Sequence, residues 1–215
     1  MNGPWSYRDM TYFGDKPHLV GAYEHLTPGG CIVVGTSRET WKDLDAAYRL
    51  FKKKTDYDVI AINDIAHQLR KRINHIASLH NKLPGPLRQI RKVKMLEHVI
   101  THSQKPYEGV DIAWGAVGQG GTSGFFGVKL AYIMGYSKIV VCGIGMDDTG
   151  HYYDPEDHNW NGSGLYAEAD RAAWIEHRRK YPLFRDSVRV MSGTLKDLFG
   201  EPTTDWIYQG QEALV

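Results

Sequence analysis

Four glycines in seven positions, Gly118, Gly120, Gly121 and Gly124, are followed by an apolar run at 125–134 and a β-branched run at 138–143. Glycine removes the Cβ atoms that keep a ligand away from the backbone, and Thr122 and Ser123 place hydroxyls at the expected start of a helix. A helix beginning there aims unpaired N–H groups and the positive end of its dipole at the loop, an arrangement suited to a phosphate. The same glycines also suit a turn that packs its helix closely on a sheet, so both uses stand open.

Shorter segments repeat the strand, turn, helix pattern. Residues 31–34 are a β-branched, all-apolar run, as in a central parallel strand covered on both faces. They end in Gly35, Thr36 and Ser37, and the Thr36/Glu39 spacing of a capping box predicts a helix running to about residue 53. Residues 58–62 form a second such strand, stopped by Asn63. That amide suits a base or ribose, and it suits an Asx turn equally well. A helix to about residue 72 and a strand at 75–79 follow, with His80 just past the strand's end. Pro84, Gly85 and Pro86 read as a chain break, residues 87–95 as a basic helix, and 97–102 and 110–114 as strands. After the strand at 138–143 comes a polar, acidic and aromatic stretch at 147–164, the length and composition of a lid or binding loop. A helix at 166–181, a strand at 187–191 and a short helix at 195–199 close the chain. The fold expected is α/β: a Rossmann-like, mostly parallel sheet with helices on both faces, in one domain of residues 31–200. Residues 1–30 read as an aromatic arm that covers either its own subunit or a neighbour in a homo-oligomer, and 201–215 as an exposed tail.

Charge narrows the function classes. With 26 Lys and Arg against 25 Asp and Glu, no global basic field exists to gather nucleic acid. The basic runs at 49–54 and 88–94 read as solvated helix faces. Cys31 and Cys142 both fall in apolar strand segments, which predicts buried thiols and a reducing, cytoplasmic location. No apolar run approaches a membrane span, and no secretory leader pattern opens the sequence. His151, His158 and the acids of the 147–164 stretch have no diagnostic metal-ligand spacing.

Residues 121–144, GTSGFFGVKLAYIMGYSKIVVCGI, resemble the Thr-Ser-Gly, helix, Leu-Gly-Tyr, strand, Gly-Ile segment of the bacterial sialyltransferases of glycosyltransferase family 42. They are also similar to the related group that includes the archaeal 6-hydroxymethylpterin diphosphokinases and DUF115-type proteins. The weaker likeness spans about residues 31–200, with Gly35, Thr36 and Ser37 at the place of the nucleotide loop and Asn63 at that of a ligand-binding asparagine. The resemblance implies a nucleotide-sugar donor, with a CMP-linked sugar as one candidate, and a small-molecule or glycan acceptor. The nucleotide would lie between Gly35, Thr36, Ser37, Asn63 and His80 on one side and Gly121, Thr122, Ser123 and Gly124 on the other. Tyr152 or Tyr153 would match the phosphate-binding tyrosines, and His158 the general base, with His151 as its alternative. The chain departs from the sialyltransferases in lacking the asparagine and second glycine of their first loop. It also carries the carboxylate after Gly-Ile two places later, at Asp147. Sugar transfer of this kind needs no metal; a diphosphokinase would want Mg²⁺, for which Asp147 and Asp148 are candidates. A non-catalytic Rossmann-like module in an assembly is the third reading.

Overall fold

The computed structural model describes residues 10–13, 16–19, 29–70, 72–80, 83–93, 99–115, 121–147, 149–155 and 164–209. Nine strands and eight helices are described: β1 (Met10–Phe13), β2 (Lys16–Leu19), β3 (Gly30–Val34), α1 (Thr40–Leu50), β4 (Tyr57–Ile62), α2 (Ile65–Gln68), β5 (His75–Ser78), α3 (Pro84–Val93), β6 (Ile100–Ser103), β7 (Ile112–Ala113), α4 (Ser123–Ile133), β8 (Lys138–Cys142), α5 (Gly164–Lys180), α6 (Pro182–Ser187), β9 (Val188–Val190), α7 (Thr194–Phe199) and α8 (Thr204–Tyr208).

Strands β3 to β9 form one seven-stranded sheet in the order β7-β6-β5-β4-β3-β8-β9, and every neighbouring pair is parallel. The chain lays strands outward from β3 to β7, then returns through α4 to place β8 on the other side of β3. The sheet therefore has a switch point between β3 and β8, where the loops leaving the two strands diverge and open a crevice. Helices on both faces explain why the central strands carry so few polar residues. Alternate residues serve opposite cores: Cys31, Val33 and Ile60 pack with α4, Trp174 and Phe184, whereas Ile32, Val34 and Val59 pack with Leu44 and Ala47 of α1.

Helix α4 is buried on nearly every side, which fits its all-round apolar sequence. It crosses β3, β4, β5 and β8 and sits close to them. A Cβ on Gly127 would lie 2.2 Å from Ile62 Cδ1, so this glycine sets the helix's closest approach to the sheet. Cys31 and Cys142 are free, buried thiols whose pKa burial pushes up.

Several expectations are corrected. Thr36 caps no helix: α1 begins at Thr40 with Glu39 as its N-cap residue, and it ends at Leu50, short of residue 53. The helix after Asn63 is a single turn, Ile65–Gln68, because Leu69 already turns back as an extended C-cap. Pro84, Gly85 and Pro86 do not break the chain; they form the first turn of α3, where proline's missing N–H costs nothing. The arm includes an antiparallel hairpin, β1 with β2, and β2 lies against α4 of its own chain. The tail is ordered into α8 through Tyr208, with Ile207 buried and Trp206 stacked under Lys138 and Arg189. No helix among the described residues is long and apolar enough to cross a membrane.

Candidate nucleotide cleft

A cleft of about 520 Å³ opens at the switch point, on the carboxyl edge of the sheet. Its walls come from the turn after β3, the ends of β4 and β5, the first turn of α4 and the segment after β8. Both glycine-bearing turns thus face one another across the same rim, with open space between them.

The first wall is Gly35, Thr36 and Ser37. Ser37 donates its amide to the carbonyl of Gly143 at 2.9 Å, and Thr40 ties the turn down by donating its hydroxyl to the carbonyls of Ser37 (2.6 Å) and Gly35 (3.2 Å). The turn spends residues 35–39 clearing the sheet edge before the helix begins, so Thr36 is free of capping duty and faces the cleft. Its Oγ1 lies 2.7 Å from Nδ1 of His151. The segment after β8 is laced to this turn: Ser37 bridges His151, the amide of Tyr152 donates to the carbonyl of Thr36 at 3.0 Å, and that of Arg38 to Gly150 at 3.1 Å. Tyr153 stacks on the His151 ring with centroids 5.0 Å apart.

The opposite wall is Gly121, Thr122, Ser123 and Gly124. Thr122 is the N-cap of α4, its hydroxyl oxygen accepting from the amide of Phe125 at 3.5 Å. That hydroxyl donates to Asp170 Oδ2 at 2.8 Å while the Thr122 amide donates to Asp170 Oδ1 at 2.7 Å. The Ser123 hydroxyl accepts from the Leu79 amide at 3.2 Å. Each hydroxyl of this wall therefore has a partner in the protein, and the first turn of α4, with the positive end of the helix dipole, borders the cleft at Ser123 and Gly124.

The floor runs from Gly143 to Asp147. Gly143 has φ +63°, and a Cβ there would lie 2.1 Å from Thr40 Oγ1, so only glycine lets the β8 exit pass the start of α1. Its amide donates at 3.0 Å to the buried carboxylate of Asp43, which also accepts from Ser192. Burial pushes the Asp43 pKa up, against the pull of those two hydrogen bonds. Met146 also has a left-handed φ, of +51°, an uncommon conformation held at the cleft edge. Asn63, at φ +55°, lines the cleft with its Oδ1 accepting from Ser78 at 2.7 Å, and His80 stands exposed beside it. Asp147 lines the cleft with Oδ1 bound by the hydroxyl and amide of Thr149.

Eleven residues singled out from the sequence, Gly35, Thr36, Ser37, Asn63, His80, Gly121, Thr122, Ser123, Gly124, Asp147 and His151, line this one cleft. Tyr152 and Tyr153 do not line it: Tyr153 stacks on His151 and Tyr152 packs against Trp41. His158 and Asp148 lie outside the described residues. Sequence reasoning missed Thr40, Asp43 and Asp170, which hold the walls. Asp43 and Asp170 sit within helices, where an acid normally reads as surface, so their roles leave no local signal. Among the described residues no group of three or more His, Cys, Asp or Glu is placed to hold a metal.

No protein-family model matches the chain, and no curated protein matches it in sequence. Solved structures do. The fold is sialyltransferase-like. The sialyltransferase CstII from Campylobacter jejuni, in complex with the substrate analogue CMP-3FNeuAc, matches with a TM-score of 0.58 at 15% identity, covering 81% of this chain and 87% of its own. CST-II in complex with a trisaccharide acceptor and CMP matches at 0.55 and 15% identity over the same shares. CstII with cytidine-5'-monophosphate matches at 0.54 and 16%, covering 84% and 87%.

Proposed function

We propose that this protein transfers a sugar from a nucleotide-activated donor, of the CMP-linked kind, to an acceptor hydroxyl. The observation that carries the reading is the joining, in one cleft at the switch point, of a helix N-terminus, a Gly-Thr-Ser turn and a ring nitrogen of His151 within 2.7 Å of Thr36. The amides of Ser123 and Gly124, with Thr36 and Ser37, would take the donor phosphate, and Asn63 with His80 the base or ribose. The structures it resembles were solved with CMP, with a CMP-sugar analogue and with a trisaccharide acceptor, which supports the substrate class.

In the reaction a neutral histidine takes the proton of the acceptor hydroxyl as its oxygen bonds to the anomeric carbon. The bond from that carbon to the phosphate oxygen breaks, and the nucleotide leaves with the electron pair, its new charge met by preorganised N–H and O–H donors. His151 lines the cleft with its ring held by Thr36 and Tyr153, which supports it as the base ahead of His158, the residue that the resemblance put first.

The test is CMP release from a CMP-sugar in the presence of acceptor glycans. Release is expected, and it should fall by about 10²–10⁴-fold in either His151→Ala or His158→Ala, whichever removes the base. Release unaffected by both variants would overturn the histidine's role. Stabilisation by ATP that depends on Mg²⁺, with no response to CMP, would move the protein to phosphoryl transfer, and no response to any nucleotide would leave an assembly module.

A further inference from the structure

Four exposed large hydrophobic side chains occur among the described residues, and two of them, Trp41 and Tyr153, belong to one row of rings. The row begins in the cleft at His151, which stacks on Tyr153 with ring centroids 5.0 Å apart. Tyr153 meets Tyr152 at 5.1 Å, and Tyr152 meets Trp41 at 5.3 Å, both edge to face. Trp41, on the first turn of α1, then forms the near wall of a second groove of about 400 Å³. That groove has an apolar floor, Leu44 and Leu69, and polar side chains along it, Asp45, Gln68 and Arg70.

An aromatic ring left 42% exposed in Trp41 and 53% in Tyr153 forgoes the burial that aromatics ordinarily gain, and here the exposure is arranged in a line rather than scattered. The line joins the cleft to a groove that offers an apolar floor, hydrogen-bond acceptors and hydrogen-bond donors together. Pyranose rings present the matching pair of surfaces: a C–H face that packs on an aromatic ring, and a rim of hydroxyls that both donate and accept. A lipid would need a long apolar trench and an extended peptide an unpaired strand edge, whereas the described lining of this groove is short and alternates apolar with polar side chains.

The geometry points to an extended acceptor subsite: a glycan chain lies along Tyr153, Tyr152 and Trp41, with its reacting end at His151 and its distal residues in the Trp41 groove. The acceptor is then an oligosaccharide rather than a monosaccharide. This inference rests on the sugar-transfer reading of the cleft, because the reacting end is placed by it. Trp41 belongs to the distal part alone, so it separates the two ideas.

The experiment is a saturation-transfer difference titration of the full chain with lacto-N-neotetraose, maltotetraose and cellotetraose, and with galactose and glucose. It uses the wild type, Trp41→Ala, Trp41→Phe and Gln68→Ala, with CMP-induced thermal stabilisation measured on each. At least one tetrasaccharide is expected to bind, about tenfold or more weaker in Trp41→Ala and substantially restored in Trp41→Phe, while the monosaccharides ignore both changes. Gln68→Ala, which leaves the rings untouched, should weaken the same tetrasaccharide. CMP stabilisation should be equal in all four proteins. Absence of binding by every tetrasaccharide, or binding equal in the wild type and Trp41→Ala, overturns the subsite. If CMP still stabilises, the nucleotide reading survives that failure; if tetrasaccharide binding depends on Trp41 but CMP does nothing, the subsite stands as a glycan site and the transfer reading falls.

Discussion

Nδ1 of His75 lies 3.0 Å from Nε2 of His102, and both rings are buried in the sheet. The contacts around them set the direction of the hydrogen bonds. The Trp114 indole can only donate, and it reaches His102 Nδ1 at 3.0 Å, so His102 carries its proton on Nε2 and donates to His75. His75 then carries its own proton on Nε2, 3.3 Å from the Tyr136 hydroxyl, which donates to Asp58 Oδ2 at 2.6 Å. A second proton on either histidine would point an N–H at another donor.

Burial accordingly pulls the His75 pKa down to about 4, and burial together with the neighbouring His75 pulls that of His102 well below the ordinary value. The unfolded chain binds these protons near pH 6.5 and the folded chain does not, so stability is full above that pH and is lost as pH falls toward 4. His75 alone contributes a loss of about 3 kcal/mol across that window. Urea unfolding at several pH values between 7 and 4 should show this slope, and His102→Gln should flatten it. A slope identical in the variant would show that other groups carry it.

The Thr122–Asp170 contact predicts a cost at the far wall of the cleft. Removing the carboxylate leaves the Thr122 amide unpaired and withdraws support from Lys129, whose pKa burial already lowers to about 8. Asp170→Ala should lose about 3 kcal/mol in urea unfolding, the value of one charge-assisted bond plus part of another. Midpoint and slope distinguish this from a change in the unfolded state: the midpoint should move and the slope should not.

Gly143→Ala should be among the more damaging single-methyl changes in the chain. The new Cβ has no room beside Thr40, and the left-handed backbone adds about 1–3 kcal/mol of strain. A thermal midpoint several degrees lower is expected, and the loss should be partly recovered when Gly143→Ala is made on a Thr40→Ala background, which removes the Oγ1 that the new Cβ would meet. No recovery would place the cost in the backbone alone.

What the sequence made legible follows the range of the interactions. Residues 31–34, 58–62 and 138–142 announce central parallel strands because burial on both faces leaves no polar alternation. The turn at Gly35 and the turn at Gly121 could be put on one rim because each follows an apolar strand and precedes a helix. The Thr36/Glu39 pattern misled, since a cleft-facing turn and a capping box use the same residue types and only the tertiary partner, His151, tells them apart. His75, His102, Asp43 and Asp170 were invisible as a group: their partners lie 12 to 149 residues away, and only the tertiary fold brings them together.

Binding of CMP, followed as thermal stabilisation over a concentration series, tests the nucleotide cleft most directly. The wild-type midpoint should rise with the logarithm of CMP concentration, and Ser37→Glu, which sets a carboxylate against the incoming phosphate at the cleft wall, should remove the rise without lowering the ligand-free midpoint by much. A wild-type midpoint that stays flat up to millimolar CMP, or a rise that survives intact in Ser37→Glu, would contradict a phosphate held between the two turns.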